Sequence, residues 1–381
     1  MSKFTCPYCY GQHTVESCGI KCSDRTDGIG TGVCKCGVSG VTRDSYGWIP
    51  QLSKKKCLSC NSQRALHYYC PDLISSDGQM IREIPSGFIK EHDNNLPIAL
   101  IGAKATGKSN YIAVLIKTIT SKMSGAFNCS LDTACGDDTP RNYNDYYYNP
   151  LYGNGQVIDA TDAAVEIPPL IYPLRFYDSK KVATLTFYDT AGENLDGNDK
   201  LEIFNRYIPN SKGIILLLDP LQVPSIRKQL SGKMPLPEIN TDVSEILSRV
   251  IQNIRNVKNI KGTINIPLAL AFTKMDALEK FNILPEDCHL REESEHLKYG
   301  GFVLSDFRNT NIEMQDLLEN WLDSEIIQMM KQFSKYAIFG LSSLGDIPHG
   351  NKIAGDGIHP KRVLDPLLWI LAENKYIKKI K

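Results

Sequence analysis

The stretch Gly102–Ser109, which reads G-x-x-x-x-G-K-S, constrains this chain more than any other. Its flanks fit the motif. Pro97–Ile101 is a short apolar run that predicts a buried strand, and Tyr111–Lys117 continues as a helix. Strand, glycine loop and helix, in that order, let backbone N–H groups curl around phosphate oxygens with the positive end of the helix behind them. In such a loop Lys108 reaches the outer phosphates and Ser109 offers its hydroxyl to Mg²⁺. Gly102, Ala103, Lys104, Ala105, Thr106, Gly107 and Asn110 complete the candidate phosphate contacts.

Further signals follow in chain order. Gly125–Pro169 has little periodicity and reads as a long irregular segment, the kind usually kept for function. Pro173–Tyr177 and Ala183–Tyr188 predict strands, and the second runs into Asp189-Thr190-Ala191-Gly192-Glu193. A carboxylate at a strand end can hold the shell of Mg²⁺, and a glycine three residues later can present its N–H to a γ-phosphate. Gly213–Leu218 is apolar throughout, as a central parallel strand covered on both faces would be. Pro267–Phe272 predicts the next strand, and it ends in Thr273-Lys274-Met275-Asp276. A carboxylate there accepts two hydrogen bonds from the N1–H and exocyclic amine of guanine, a donor pair that adenine lacks, while the lysine stem lies along the base. Tyr336–Leu341 predicts a last strand, and Ser342-Ser343-Leu344 after it can offer an N–H to guanine O6.

The remaining periodicity is structural. Val243, Ile246, Leu247, Val250 and Ile254 form a core-facing helical stripe, and Val363–Leu371 is an apolar helix suited to covering the sheet. Leu278–Lys331 is mostly helical in pattern, and its Cys288, His289 and His296 read as structural rather than as ligands. Residues 96–381 therefore predict an α/β domain with a mostly parallel sheet flanked by helices.

The N-terminal part is of another kind. Nine of the 12 cysteines precede residue 71. Cys6/Cys9 and Cys57/Cys60 have C-x-x-C spacing, and Cys18/Cys22 and Cys34/Cys36 are looser pairs. A C-x-x-C turn points two thiolates at one ion, and two such turns complete a tetrahedral Zn²⁺ site. These eight thiols suit one or two ions in either of two pairings, with Cys70 and His67 as spare ligands. A segment this rich in glycine has too little apolar mass to fold without such a staple. Residues 1–71 are thus expected to form a small Cys-rich zinc-binding domain, with 72–95 as the connection.

Lys+Arg and Asp+Glu balance at 43 each, which argues against nucleic acid despite the run Lys54–Lys56. No apolar run reaches membrane-span length, and the N-terminus lacks a signal-peptide core, so a cytoplasmic protein with reduced thiols is expected.

The set G-x-x-x-x-G-K-S, D-T-A-G-E, T-K-M-D and S-S-L resembles the translation-factor and Ras-related class of P-loop GTPases, from about Asn95 to Lys381. With the cysteine pairs and the C-terminal R-V-L-D-P-L-L-W-I-L, the chain looks most like the bacterial double-GTPase family, whose members often carry an N-terminal zinc ribbon. The resemblance implies a P-loop NTPase fold, a Ras-like G domain, and an enzyme that hydrolyses GTP to GDP and phosphate. It also implies GTP, Mg²⁺ and Zn²⁺ as ligands, and a place in a bacterial multi-gene system, some members being linked to biological conflict. Protein partners, among them a second GTPase encoded nearby, go with that reading.

Carried onto this sequence, Lys108 and Ser109 take the loop roles, Asp189 the Mg²⁺-linked carboxylate and Gly192 the γ-phosphate sensor. Lys274, Asp276 and Ser343 take the base contacts. Thr161 or Thr139 takes the switch threonine that contacts Mg²⁺, with Thr161 preferred for its position ahead of the Pro173–Tyr177 strand. Two departures stand out. Glu193 occupies the place of the glutamine that orients the attacking water, and Lys104 a place where glycine is common. Glu193 leaves open a GTP-binding scaffold with little hydrolysis as the alternative to a switch.

Overall fold

The structure is a computed structural model and describes residues 3–22, 66–76, 82–85, 88–89, 95–103, 105–132, 138–158, 168–187, 206–238, 243–321 and 324–381. In chain order, β1 (Phe4–Thr5) and β2 (Gln12–His13) form a hairpin, and β3 (Gly19–Cys22), β4 (Leu66–Tyr69) and β5 (Glu83–Ile84) form a small antiparallel sheet. The main sheet follows, built from β6 (Asn95–Gly102), β7 (Cys129–Leu131), β8 (Leu170–Phe176), β9 (Lys181–Phe187), β10 (Gly213–Leu218), β11 (Leu268–Phe272) and β13 (Tyr336–Gly340). A short parallel pair, β12 (Phe302–Val303) with β14 (Lys379–Ile380), lies outside it.

The seven strands lie in the order β13-β11-β10-β6-β9-β8-β7. Five are parallel, and β8 and β7 continue the sheet antiparallel at one edge. This is the α/β class with a mostly parallel sheet that the apolar runs predict. From β6 the chain passes first to β8 and β9 on one side, then returns to β10 on the other. β6 therefore ends at the point where strand order reverses, the crevice in which open α/β sheets bind ligands.

Every residue of β10 is buried, and the side chains of β6 and β10 alternate between two cores. Ile98, Leu100, Ile215 and Leu217 pack with the Lys108–Thr118 and Asp365–Glu373 helices. Ala99, Ile101, Ile214, Leu216 and Leu218 pack with the Val243–Lys258 and Leu304–Trp321 helices. Of the predicted stripe, Leu247, Val250 and Ile254 are fully covered, and Val243 and Ile246 are partly buried beside them. The C-terminal helix approaches so closely that a Cβ on Gly213 would lie 2.6 Å from Ile370 Cγ2.

Two stretches differ from expectation. Within the segment read as irregular, Thr139–Tyr143 is helical and continues as a widened helix over Asn144–Gly153 with Pro150 inside it. Its tyrosines supply the burial that a polar-looking sequence hides. Tyr147 and Leu151 enter the core, and the Tyr143 hydroxyl donates to Ala113 O at 2.9 Å. Within the stretch read as a connection, β5 pairs with β4, and Phe88 and Ile89 pack in one cluster with Phe4, Cys6, Cys9 and Cys70. Among the described residues, no helix is long and apolar enough to cross a membrane.

Candidate functional site

The loop between β6 and the Lys108–Thr118 helix is shaped by backbone as much as by side chains. Gly107 caps the helix in the left-handed region at φ 81°, where a side chain would be strained. Thr106 closes the turn, donating through N and Oγ1 to Ala103 O at 3.3 and 2.9 Å. Gly102 serves close packing: a Cβ there would meet Thr106 Oγ1 at 2.7 Å and Leu217 O at 3.2 Å. Lys108, Ser109 and Asn110 begin the helix in buried positions.

Thr273 and Lys274 tie this loop to the far side of the sheet. Thr273 Oγ1 donates to Thr106 O at 2.9 Å, with Leu218 O also in reach at 3.1 Å. Lys274, at φ 53°, turns its ammonium to Ala105 O at 2.9 Å and to Asp219 Oδ2 at 2.6 Å. Asp219 is wholly buried at the end of β10 and also accepts from Leu221 N at 2.9 Å. Breaking such a pair from one side strands a buried charge, at a cost of about 3–5 kcal/mol.

Asp276 lies one turn on, in the Met275–Lys280 helix. The Ser342 hydroxyl donates to its Oδ1 at 2.5 Å and in turn accepts from Gly345 N at 2.9 Å. Burial pushes the Asp276 carboxyl above the usual range, while the Ser342 hydrogen bond pulls it back. Ser342 thus orients Asp276 rather than facing a ligand. Its neighbour Ser343 is 8% exposed and its hydroxyl has no hydrogen-bond partner among the described residues.

The loop, Thr273, Lys274, Asp276 and Ser343 share one cavity of about 660 Å³. Lys108 and Ser109 line it, as do Asp276, Ser343 and Leu344, with Leu221 and Met234–Pro237 as apolar wall. The size falls in the range of about 300–1,000 Å³ that small-ligand sites occupy. A concave site with loop N–H groups, a lysine, a serine hydroxyl, a carboxylate and an orphan hydroxyl suits an anionic ligand that also carries a hydrogen-bonding ring.

Asn110 adds a contact that runs to the next segment. Its Nδ2 donates to Ile158 O and its Oδ1 accepts from Ile158 N, both at 3.0 Å. This clamp brings the chain just ahead of Thr161 to the mouth of the loop. The alternative threonine, Thr139, is 1% exposed and accepts from Ile171 N at 3.0 Å, so it serves β8 instead. Thr161 itself, together with Lys104, Asp189, Gly192 and Glu193, lies outside the described residues.

A second cluster lies in the N-terminal part. Cys6, Cys9, His13 and Cys70 are all buried, and one ligand atom from each falls within 4.8 Å of the others. The turn is tight: Tyr10 N donates to Cys6 O at 3.0 Å, and Cys6 N to Gly11 O at 2.9 Å. His13 Nε2 lies 3.0 Å from Cys9 Sγ and 4.0 Å from Cys70 Sγ. Hydrogen bonds from Cys6 and Cys9 hold the Cys70 thiol well below its usual range, burial pushes Cys6 up, and Cys9 is raised to about 12. Three thiols and one imidazole, all buried, form a donor set that fits tetrahedral Zn²⁺. Of the other predicted ligands, Cys18 is buried with its Sγ near Thr14 O at 3.5 Å. Cys22 ends β3, and Cys34, Cys36, Cys57 and Cys60 lie outside the described residues.

Three features escaped the sequence. His13 stands four residues after Cys9, and that spacing was the available signal. Asp219 follows a wholly apolar strand, where an acid needs a partner. The grip of Asn110 on Ile158 leaves no local trace.

A third group, His296, Asp306 and Asp365, is filled by the chain itself. Arg362 donates to both carboxylates at 2.9–3.0 Å, a buried ion-pair network.

No family model matches the chain. A protein of Mycolicibacterium smegmatis named as a candidate ESX-1 scaffolding and assembly protein, SaeC, is 26% identical over 309 residues, covering 75% of this chain and 76% of that protein. Among solved structures, the Arl6 (BBS3) small GTPase of Trypanosoma brucei with a bound nucleotide analogue is similar at 13% identity and a TM-score of 0.30, over 74% of this chain and 99% of that one. The GTP-bound GTPase-like domain of S. cerevisiae Ski7 is similar at 15% identity and a TM-score of 0.32, over 77% of this chain. The match covers 52% of the Ski7 structure, about half its length.

Proposed function

We propose that this chain is a guanine-nucleotide-binding molecular switch that hydrolyses GTP and carries a zinc-binding docking module. One observation supports it above the rest: the cavity lined by Lys108 and Ser109 is also lined by Asp276 and by the orphan Ser343 hydroxyl. The phosphates belong at the loop, where Lys108 would offset their charge and Ser109, Thr161 and Asp189 would hold Mg²⁺. The ion supplies neutralisation of charge on the outer phosphates. Gly192 senses the γ-phosphate and Glu193 orients the water. Asp276 accepts the two guanine donors, Lys274 lines the base and Ser343 takes a polar edge of the ring.

In the N-terminal module we assign Zn²⁺ to Cys6, Cys9, His13 and Cys70, where it would act as a structural staple. The need for reduced thiols favours a cytoplasmic protein, and the resemblance to double-GTPases favours protein partners in a bacterial multi-gene system.

A second reading, a GTP-binding scaffold with little turnover, draws support from the relative named for scaffolding and assembly. Glu193 in place of a glutamine favours it too, because a carboxylate repels the γ-phosphate. Single-turnover phosphate release separates the two. The switch reading expects Mg²⁺-dependent release that slows at least tenfold in Lys108→Ala. Release no faster than that of free GTP, with GTP bound, contradicts hydrolysis and leaves the scaffold. In the same assay, Glu193→Ala at an unchanged rate removes Glu193 from the chemistry.

A further inference from the structure

The cysteine–histidine cluster is joined to the sheet strand that feeds the phosphate loop. Tyr10 lies between Cys9 and Gly11 and adopts φ 55°, a left-handed conformation rarely held by a tyrosine. Its ring is 1% exposed and packs in the same core cluster as Ala99 and Ile101 of β6. There it meets the Tyr207 ring at 4.6 Å between centroids. Tyr207 holds β6 directly: its hydroxyl donates to Ile98 O at 2.5 Å, and Leu100 N lies 3.2 Å from the same oxygen. Leu100 stands two residues ahead of Gly102.

Three polar contacts tie the same elements. Arg206 Nη1 donates to Asp72 Oδ2 at 2.9 Å, and that carboxylate stands 3.8 Å from His13 Nε2. Asn210 Nδ2 donates to Tyr10 O at 2.8 Å, and Thr5 Oγ1 donates to Asn210 O at 3.2 Å. In sequence, Arg206–Asn210 follows the stretch bearing Asp189, Gly192 and Glu193. A strained backbone persists only where its surroundings over-determine it. An ion gripping Cys6 and Cys9 fixes the turn that Tyr10 belongs to, and so fixes the ring that Tyr207 packs on.

We infer that the metal at Cys6, Cys9, His13 and Cys70 is an allosteric ligand of the nucleotide site, acting through Tyr10, Asp72–Arg206 and the Tyr207 contact with β6. This rests on the guanine-nucleotide reading for its functional consequence, though not for its structural one. Linkage between two binding sites is reciprocal, so nucleotide tightens metal by the factor that metal tightens nucleotide. Arg206 and Tyr10 are positioning residues here; neither touches either ligand.

The test uses the full chain in reducing buffer, loaded with Zn²⁺ alone or stripped by chelation. A fluorescent GTP analogue with Mg²⁺ reports affinity, and amide exchange reports Leu100 and Arg206–Asn210. Loss of zinc is expected to weaken GTP by at least about fivefold, the lower end of typical coupling. It is also expected to speed exchange at Leu100. In Arg206→Gln, which still takes up zinc, the response of GTP affinity to zinc should shrink markedly, and Tyr10→Ala should abolish it. Equal GTP affinity with and without zinc in the parent chain overturns the coupling. If GTP fails to bind even to the zinc-loaded chain, the nucleotide reading has failed, and exchange alone decides. Leu100 protection lost with zinc then sustains the structural link, and unchanged protection overturns it.

Discussion

At the scale of single residues, the proposed choice of base rests on Asp276 and its serine. Guanine recognition needs the ionised carboxylate, and burial raises the pH at which Asp276 takes up a proton. With the folded value raised, the group favours the folded protein at low pH, and this contribution is lost as pH rises through that value. The base-binding effect has the opposite sense. GTP affinity is expected to fall on acidification at a pH above the ordinary carboxylate range, as read from titrations of GTP across pH, with Asp276→Asn weak and nearly flat. Ser342→Ala removes a hydrogen bond to a charged group, worth about 1.5–3 kcal/mol. It is expected to cost roughly tenfold in GTP affinity while leaving the Tm within a few degrees. A much larger fall in Tm would mean that the Ser342 hydroxyl mainly holds the following turn through Gly345 N. Asp276 was legible because a carboxylate just after an apolar strand is a local pattern. The orienting role of Ser342 was not, because it depends on a loop 66 residues away.

Among elements, the loop and its helix were the most readable part of the chain. Strand, glycines, lysine and helix lie within one short window, and Gly102 and Gly107 are fixed by clash and by φ, constraints that act locally. The Thr139–Gly153 helix was misread because its burial comes from tyrosines, which count as polar in a periodicity and as apolar in a core. The cysteine module was half legible. C-x-x-C pointed to Cys6 and Cys9, while His13 and Cys70 reach the cluster only through the β1–β2 hairpin and the end of β4. Asn110 joins two elements, and its effect is testable. Asn110→Ala leaves both Ile158 backbone groups without this partner, and amide exchange at Ile158 is expected to accelerate at least tenfold. Affinity for the GTP analogue should fall more than affinity for GDP, because the clamped segment leads to Thr161. Equal losses for the two nucleotides would place the Asn110 effect at the loop itself.

For the whole molecule, the order of strands brings the parts together. β6 sits between β9 and β10, so its loop opens at the reversal point, with Asp219 and the Thr273–Asp276 turn arriving from the neighbouring strand ends. The apolar runs predicted these strands, and their parallel stacking follows from burial on both faces. What the chain order could not reveal is the contact of Tyr10 with Tyr207, which spans about half of the chain and carries a residue of the cysteine turn into the sheet's own core. The central claim remains the ligand of the cavity. It is tested most directly by titrating the full, zinc-loaded chain with GTP and with ATP in the presence of Mg²⁺. Asp276 predicts that GTP binds at least a hundredfold tighter than ATP, and that Asp276→Asn removes most of that difference. Equal affinity for the two nucleotides in the parent chain would contradict the account.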